Sequence, residues 1–154
     1  MAQAIECQPV IQQLGRTYRA FLSAYEKEVG HFLPRWRVML HLYRHETPSP
    51  QKQVGKASFM DPGALSRQLK ALEALGWIRR DTDPDDKRIT NVSLTAQGRR
   101  EVEAALPRRI AFMRSTLRDF SEAQLQQLRD MLLLMETRFT EKGRQSSQKK
   151  KTAA

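Results

Sequence analysis

Cysteine is almost missing from this chain. Cys7 stands alone, so no disulfide can form within the chain, and a reducing compartment suits it. Long apolar runs are missing too: nothing approaches the ~18 uninterrupted apolar residues of a membrane span. The opening residues Met1 to Cys7 hold no basic stretch followed by an apolar one, so no secretory signal is expected and a cytoplasmic location is. There is no phosphate-cradling glycine loop, no nucleophile elbow and no dense cluster of metal ligands. The expectation is therefore a protein that is not an enzyme and carries no cofactor. Acidic residues are scarce, with 17 Asp and Glu against 27 Lys and Arg.

That imbalance is the first positive feature. The net charge is +10, and the segment from Glu141 to Ala154 accounts for +4 of it, so the other 140 residues still carry +6. A folded domain with such an excess seeks polyanions, of which nucleic acid is the commonest. The length of 154 residues, 40% of them apolar, suits one domain with a real core.

Apolar periodicity orders the chain into helices and one hairpin. Val10, Leu14, Tyr18, Phe21, Tyr25 and Val29 step by three or four, which predicts a long helix ended by Gly30. A second helix opens near Pro34, with Trp36, Met39, Leu40 and Tyr43 inward. Thr47-Pro-Ser-Pro50 breaks the chain, and Gln51 to Ser58 reads as a short helix. Asp61-Pro62 is a strong helix start, Leu65, Leu69 and Leu72 follow at helical spacing, and Gly76 closes the helix. Two short helices about a tight turn form a helix-turn-helix. Trp77–Arg80 and Thr90–Leu94 then read as strands around the polar tip Asp83–Arg88, a β-hairpin wing. Thr95 caps a helix running to about Phe120, with a kink expected at Pro107. Ser121-Glu-Ala-Gln124 has the capping-box form and starts a last helix whose apolar face spans Leu125, Leu128, Leu132, Met135 and Phe139. The fold class is mainly α with a small β-hairpin, a winged helix-turn-helix over residues 1–142. Residues 143–154 read as a disordered basic tail that adds weak, sequence-independent attraction to DNA.

The capped helix offers its outer face to a major groove. Pro62, Gly63 and Ala64 are small enough for close approach, and Ser66 with the helix N-terminus suits phosphate. Arg67 can reach guanine O6 and N7, Gln68 can pair with adenine, and Lys70 adds charge. At the wing tip Lys87 and Arg88 can enter a narrow minor groove. Asp83, Asp85 and Asp86 look out of place beside DNA, and one role for Asp86 is to pair with Arg88 and aim it.

The stretch from Leu65 to Gly98 resembles the DNA-binding lobe of the MarR family (multiple-antibiotic-resistance regulators). The residues that carry the likeness are Leu65-Ser66-Arg67, Leu72-Glu73 with Gly76-Trp77-Ile78 and Arg80, and Asp83 with Asp86-Lys87-Arg88, followed by Val92, Leu94, Thr95 and Gly98. Lys87 departs from the arginine many members carry. The resemblance implies a symmetric homodimer, with residues 5–33 and 108–142 as the dimerisation lobe and 34–107 as the DNA-binding lobe. It also implies palindromic operators and a repressor released by a small aromatic or phenolic acid.

By the same likeness a ligand would sit where the lobes meet, a stretch that here contains Tyr25, His31, Arg35, Trp36 and Met39. A cation beside aromatic rings suits an aromatic carboxylate, although apolar residues at this spacing are more often plain packing. Cys7 is an alternative sensor of oxidants, but only Glu6, Gln8 and Pro9 adjoin it, and none lowers a thiol pKa. His41 and His45 have metal-ligand spacing, with only His31 and Glu46 as further ligands, so no metal is expected. Two other functions stay open at this point: a winged-helix module that binds protein, and a non-specific architectural DNA binder.

Overall fold

The computed structural model describes residues 8–45 and 47–152. The chain divides into two units, Met1–Met113 and Arg114–Ala154. In the first unit α1 (Gln8–Val29) leads through a corner into α2 (Leu33–Arg44). A two-residue strand β1 (Ser49–Pro50) precedes α3 (Gln51–Ala57) and α4 (Pro62–Ala74). Strands β2 (Ile78–Thr82) and β3 (Thr90–Leu94) form the wing, and α5 (Ala96–Leu117) follows. The second unit is built on α6 (Glu122–Thr152).

The ends of these helices are set by their own side chains. Asp61 Oδ1 accepts from Ala64 N at 2.8 Å, with Pro62 at the first helical position of α4. This bond holds the Asp61 carboxyl below its usual range. At the other end of α4 the Trp77 amide donates to Leu72 O and the Gly76 amide to Glu73 O, a Schellman closure that needs the left-handed φ of 70° at Gly76. Thr95 Oγ1 accepts from Gly98 N at 3.0 Å and donates to Gly76 O at 2.6 Å, so one hydroxyl caps α5 and ties it to the α4–β2 turn. Ser121 and Gln124 exchange both bonds of a capping box, at 3.2 and 2.8 Å.

The core of the first unit is continuous. Tyr25, Val29, Trp36, Val38, Met39, Val54, Leu69, Leu72, Val92 and Val102 are all sealed from solvent. Burying a leucine is worth about 2 kcal/mol, so Leu65, Leu69 and Leu72 together anchor α4 by one face and leave its other face outward. Wing strands β2 and β3 pair antiparallel from Ile78 opposite Leu94 to Thr82 opposite Thr90. Ile78 and Val92 point into the core.

The structure departs from the sequence expectations in two places, the wing and the C-terminal tail. The wing is part of a three-stranded sheet in the order β1-β3-β2, because Ser49 and Pro50 pair with Val92 and Asn91. A two-residue strand leaves no periodicity to detect. The helix after the wing runs through Pro107, as expected, and ends at Leu117, close to its expected end. The last helix runs on through Gly143 to Thr152, so helix stands where composition pointed to a disordered tail. Along α1, Tyr25 and Val29 are buried, and Val10, Leu14 and Tyr18, in the stretch the resemblance assigns to a dimerisation lobe, are exposed. Among the described residues no helix is long and apolar enough to cross a membrane.

Candidate nucleic-acid interface

Helix α4 presents Pro62, Gly63, Arg67 and Lys70 to solvent, with Ala64 and Ser66 half-buried beside them. The arrangement follows from the leucine spacing: with one face packed, the helical period turns these six outward. Gln68 differs. It is half-buried, and its amide oxygen is buried without a hydrogen-bond partner in the protein. Arg67 reaches back over the first turn, its guanidinium 3.7 Å from where a Gly63 side chain would begin.

The wing tip is organised by an acid rather than a base. Asp83 Oδ1 accepts the backbone amides of Asp85 and Asp86, each at 3.0 Å, and its Oδ2 accepts from Asn91 Nδ2 at 2.6 Å. These bonds, that from the Asp86 amide foremost, hold the Asp83 carboxyl below its usual range. Asp86 Oδ1 accepts the backbone amide of Arg88 at 2.9 Å. The expected ion pair of Asp86 with the Arg88 side chain is thus replaced by a turn-forming bond to its backbone. The acids fold the tip, and Lys87 and Arg88 stand exposed on it.

Between α3, the start of α4 and β3 lies a cleft of about 650 Å³. Met60, Pro62, Leu65 and Ile89 give it an apolar floor, and Lys52, Lys56 and Arg88 also line it. Lys52 and Lys56 escape a sequence reading because α3 is too short for its exposed face to be distinguished by period. In the turn before α4, Phe59 is 81% exposed and holds a φ of 55°. The Arg37 guanidinium lies 6.0 Å from its ring. A left-handed, solvent-facing phenylalanine is unusual on both counts.

Helix α4 and the wing are joined. Arg80 on β2 donates to Glu73 on α4 through both Nε and Nη2, and the Arg80 guanidinium holds the Glu73 carboxyl below its usual range.

Most of the residues expected at a ligand site are buried in the core of the first unit. Tyr25, Trp36 and Met39 are core residues, and His31 is buried with them. Tyr25 packs edge-on against Phe112 at 5.6 Å and beside Phe21 at 5.5 Å. Burial pushes its hydroxyl up to about 12, against the opposing charge of Arg109. Trp36 Nε1 and Arg35 Nε are buried without a hydrogen-bond partner in the protein. The His41 and His45 rings lie 4.2 Å apart and tilted by 39°, with the His45 Nδ1 2.8 Å from the His41 carbonyl oxygen. Among the described residues no group of three or more His, Cys, Asp or Glu side chains comes together. Cys7 and Glu46 lie outside the described residues.

A helix-turn-helix whose second helix faces outward, beside a basic wing, defines the winged helix-turn-helix class. Residues 33–89 match the MarR family model. The transcriptional regulator YdgJ of Bacillus subtilis is 35% identical over 97 residues, 63% of this chain and 59% of YdgJ. The chain therefore spans about three fifths of that relative's length. A helix-turn-helix regulator of Bacillus cereus is 31% identical over 105 residues, 68% of this chain and 69% of its own. Among solved structures, a probable transcriptional regulator from Pseudomonas aeruginosa superposes with a TM-score of 0.75 at 27% identity, over 83% of this chain and 97% of that one. A MarR variant from E. coli complexed with operator DNA superposes at 0.76 with 19% identity, over 84% of this chain and 95% of that one. This chain belongs to the MarR family, whose members are transcriptional regulators and not enzymes.

Proposed function

We propose that this protein binds double-stranded DNA sequence-specifically as a homodimer and regulates transcription as a repressor. One observation carries the reading: α4 is capped, anchored by three leucines and bare on its outer face, with the cations of the wing and α3 beside it. Arg67 reads a base edge in the major groove, Lys52, Lys56 and Lys70 meet phosphate, and Lys87 and Arg88 follow the neighbouring minor groove. The solved MarR variant sits on operator DNA with the same fold.

The homodimer is supported by uncovered apolar surface. Val10, Ile11, Leu14 and Tyr18 on α1 are exposed, as are Leu128, Met131, Leu132, Leu133, Leu134 and Phe139 on α6. Faces of this size on a monomer mark contact surfaces. Two copies related by a twofold axis place two α4 helices in successive grooves of a palindromic site, about one helical turn apart.

The effector in this reading is a small aromatic carboxylate acting at Arg35 and Trp36. The support for it is the pair of buried, unpartnered nitrogens at those two residues. A polar ligand atom reaching either nitrogen recovers the cost of leaving it unpaired.

The test is a salt series of binding to the intergenic DNA adjoining its own gene, against unrelated duplex. Specific binding that falls steeply with salt supports the reading. Equal binding to any duplex leaves an architectural DNA binder, and no binding leaves a protein-docking module. Adding aromatic acids to the complex tests release.

A further inference from the structure

The chain has three histidines, and only His31 is buried. It follows Gly30 in the corner between α1 and α2. Its ring stacks on Trp36 at 5.5 Å and 28°, and meets the edge of Trp77 at 5.7 Å and 75°. These are the only two tryptophans in the chain. Trp36 belongs to α2 and the core, whereas Trp77 begins the wing. The Trp77 amide donates to Leu72 O, and its carbonyl accepts from Thr95 N at 3.0 Å. His31 is thus the wedge between the α1–α2 corner and the turn that joins α4, the wing and α5.

We propose that His31 is a proton-operated joint, closed while its ring is neutral and loosened when the ring takes up a proton from solvent. Burial decides the sign, and the charged groups facing the ring act in both directions. Arg35 on α2 and Arg108 on α5 repel an imidazolium, and only Glu101 on α5 attracts it. Burial is the larger influence and acts with the arginines, so the folded protein holds His31 below its ordinary value of 6.5. A form with the ring released to water binds the proton more readily. The closed form therefore loses ground as pH falls through about 6.5 and goes on losing it until the closed-state value is passed. Each pKa unit between the two forms changes their ratio about tenfold. Loosening at Trp77 reaches α4 and the wing together, because the same turn carries both. The consequence for DNA affinity, a fall on acidification, rests on the function proposed above.

The experiment is a pH titration of the full chain from 8 to 5, following tryptophan emission. The expected result is a one-proton step with its midpoint below 6.5, lost in His31→Gln and kept in the His41→Gln/His45→Gln double variant. Superimposable curves for wild type and His31→Gln overturn the proposal. If His31→Gln does not fold, NMR of the wild-type chain decides. The Trp77 indole resonance moving with the His31 ring supports the joint, and an unmoved Trp77 resonance overturns it. Duplex binding is then compared at pH 8 and pH 5.5. A larger affinity loss on acidification in wild type than in His31→Gln supports coupling to DNA, and an equal loss overturns it. Failure of both chains to bind duplex at pH 8 overturns the DNA reading alone, since the emission step needs no DNA.

Discussion

Gly98 is where the fold has least room. A Cβ built there lies 1.9 Å from the Trp77 carbonyl oxygen and 2.8 Å from its carbon, well inside the 3.4 Å of ordinary contact. The carbonyl cannot simply turn aside, because it accepts from Thr95 N at 3.0 Å. Gly98→Ala therefore forces α5 away from the α4–β2 turn. Overpacking of this kind costs about 3 kcal/mol at the upper end of its usual range, and the strained hydrogen bond adds about 1 kcal/mol. Exchanging glycine for alanine within a helix returns about 1 kcal/mol. The net expectation is a loss of about 3 kcal/mol, which at a urea slope near 2 kcal/mol/M lowers the midpoint by about 1.5 M. Gly15→Ala is the control, because a Cβ there meets only the flexible Arg19 side chain at 3.8 Å. It keeps the helical gain of about 1 kcal/mol. Urea unfolding of the three proteins at one concentration checks both. A Gly98→Ala midpoint at or above wild type refutes the packing argument.

Phe59→Gly relieves a left-handed backbone at a cost in unfolded-state entropy, and the balance is a gain of about 0.5–1 kcal/mol, read by the same urea assay. Arg67→Ala weakens operator binding by about 1–3 kcal/mol more than it weakens binding to unrelated duplex, and an equal loss on both assigns Arg67 to the backbone. Replacing Lys52 and Lys56 together by Ala lowers affinity for all duplexes alike. It reduces the logarithmic salt slope by about 0.9 for each phosphate that is no longer neutralised. Arg88→Ala lowers affinity while sedimentation still reports the wild-type assembly.

Much of this fold is legible in the sequence because its signals are local. Asp61, Thr95 and Ser121 each cap a helix through a bond to the third residue on, and Gly76 closes α4 within five residues. The leucine face of α4 predicts its bare side by geometry alone. What is not legible depends on distant partners. Strand β1 exists only because β3 lies beside it, and Lys52 and Lys56 join Arg88 only once α3 packs against the wing. The acids at the tip invite pairing with Arg88 in sequence, whereas in the fold Asp83 engages amides and Asn91. Tyr25, Trp36 and Met39 can line a ligand or a core as far as the sequence goes, with packing the commoner role, and in the fold all three are buried.

The brace between Glu73 and Arg80 bears on how such a molecule evolves. With α4 and β2 clamped at that point and again at Leu72–Trp77, neither element can tilt without the other. If α4 reads bases as proposed, substitutions on its outer face can retune which bases are read without disturbing the hairpin. Under the function proposed above, specificity and grip are then free to drift separately.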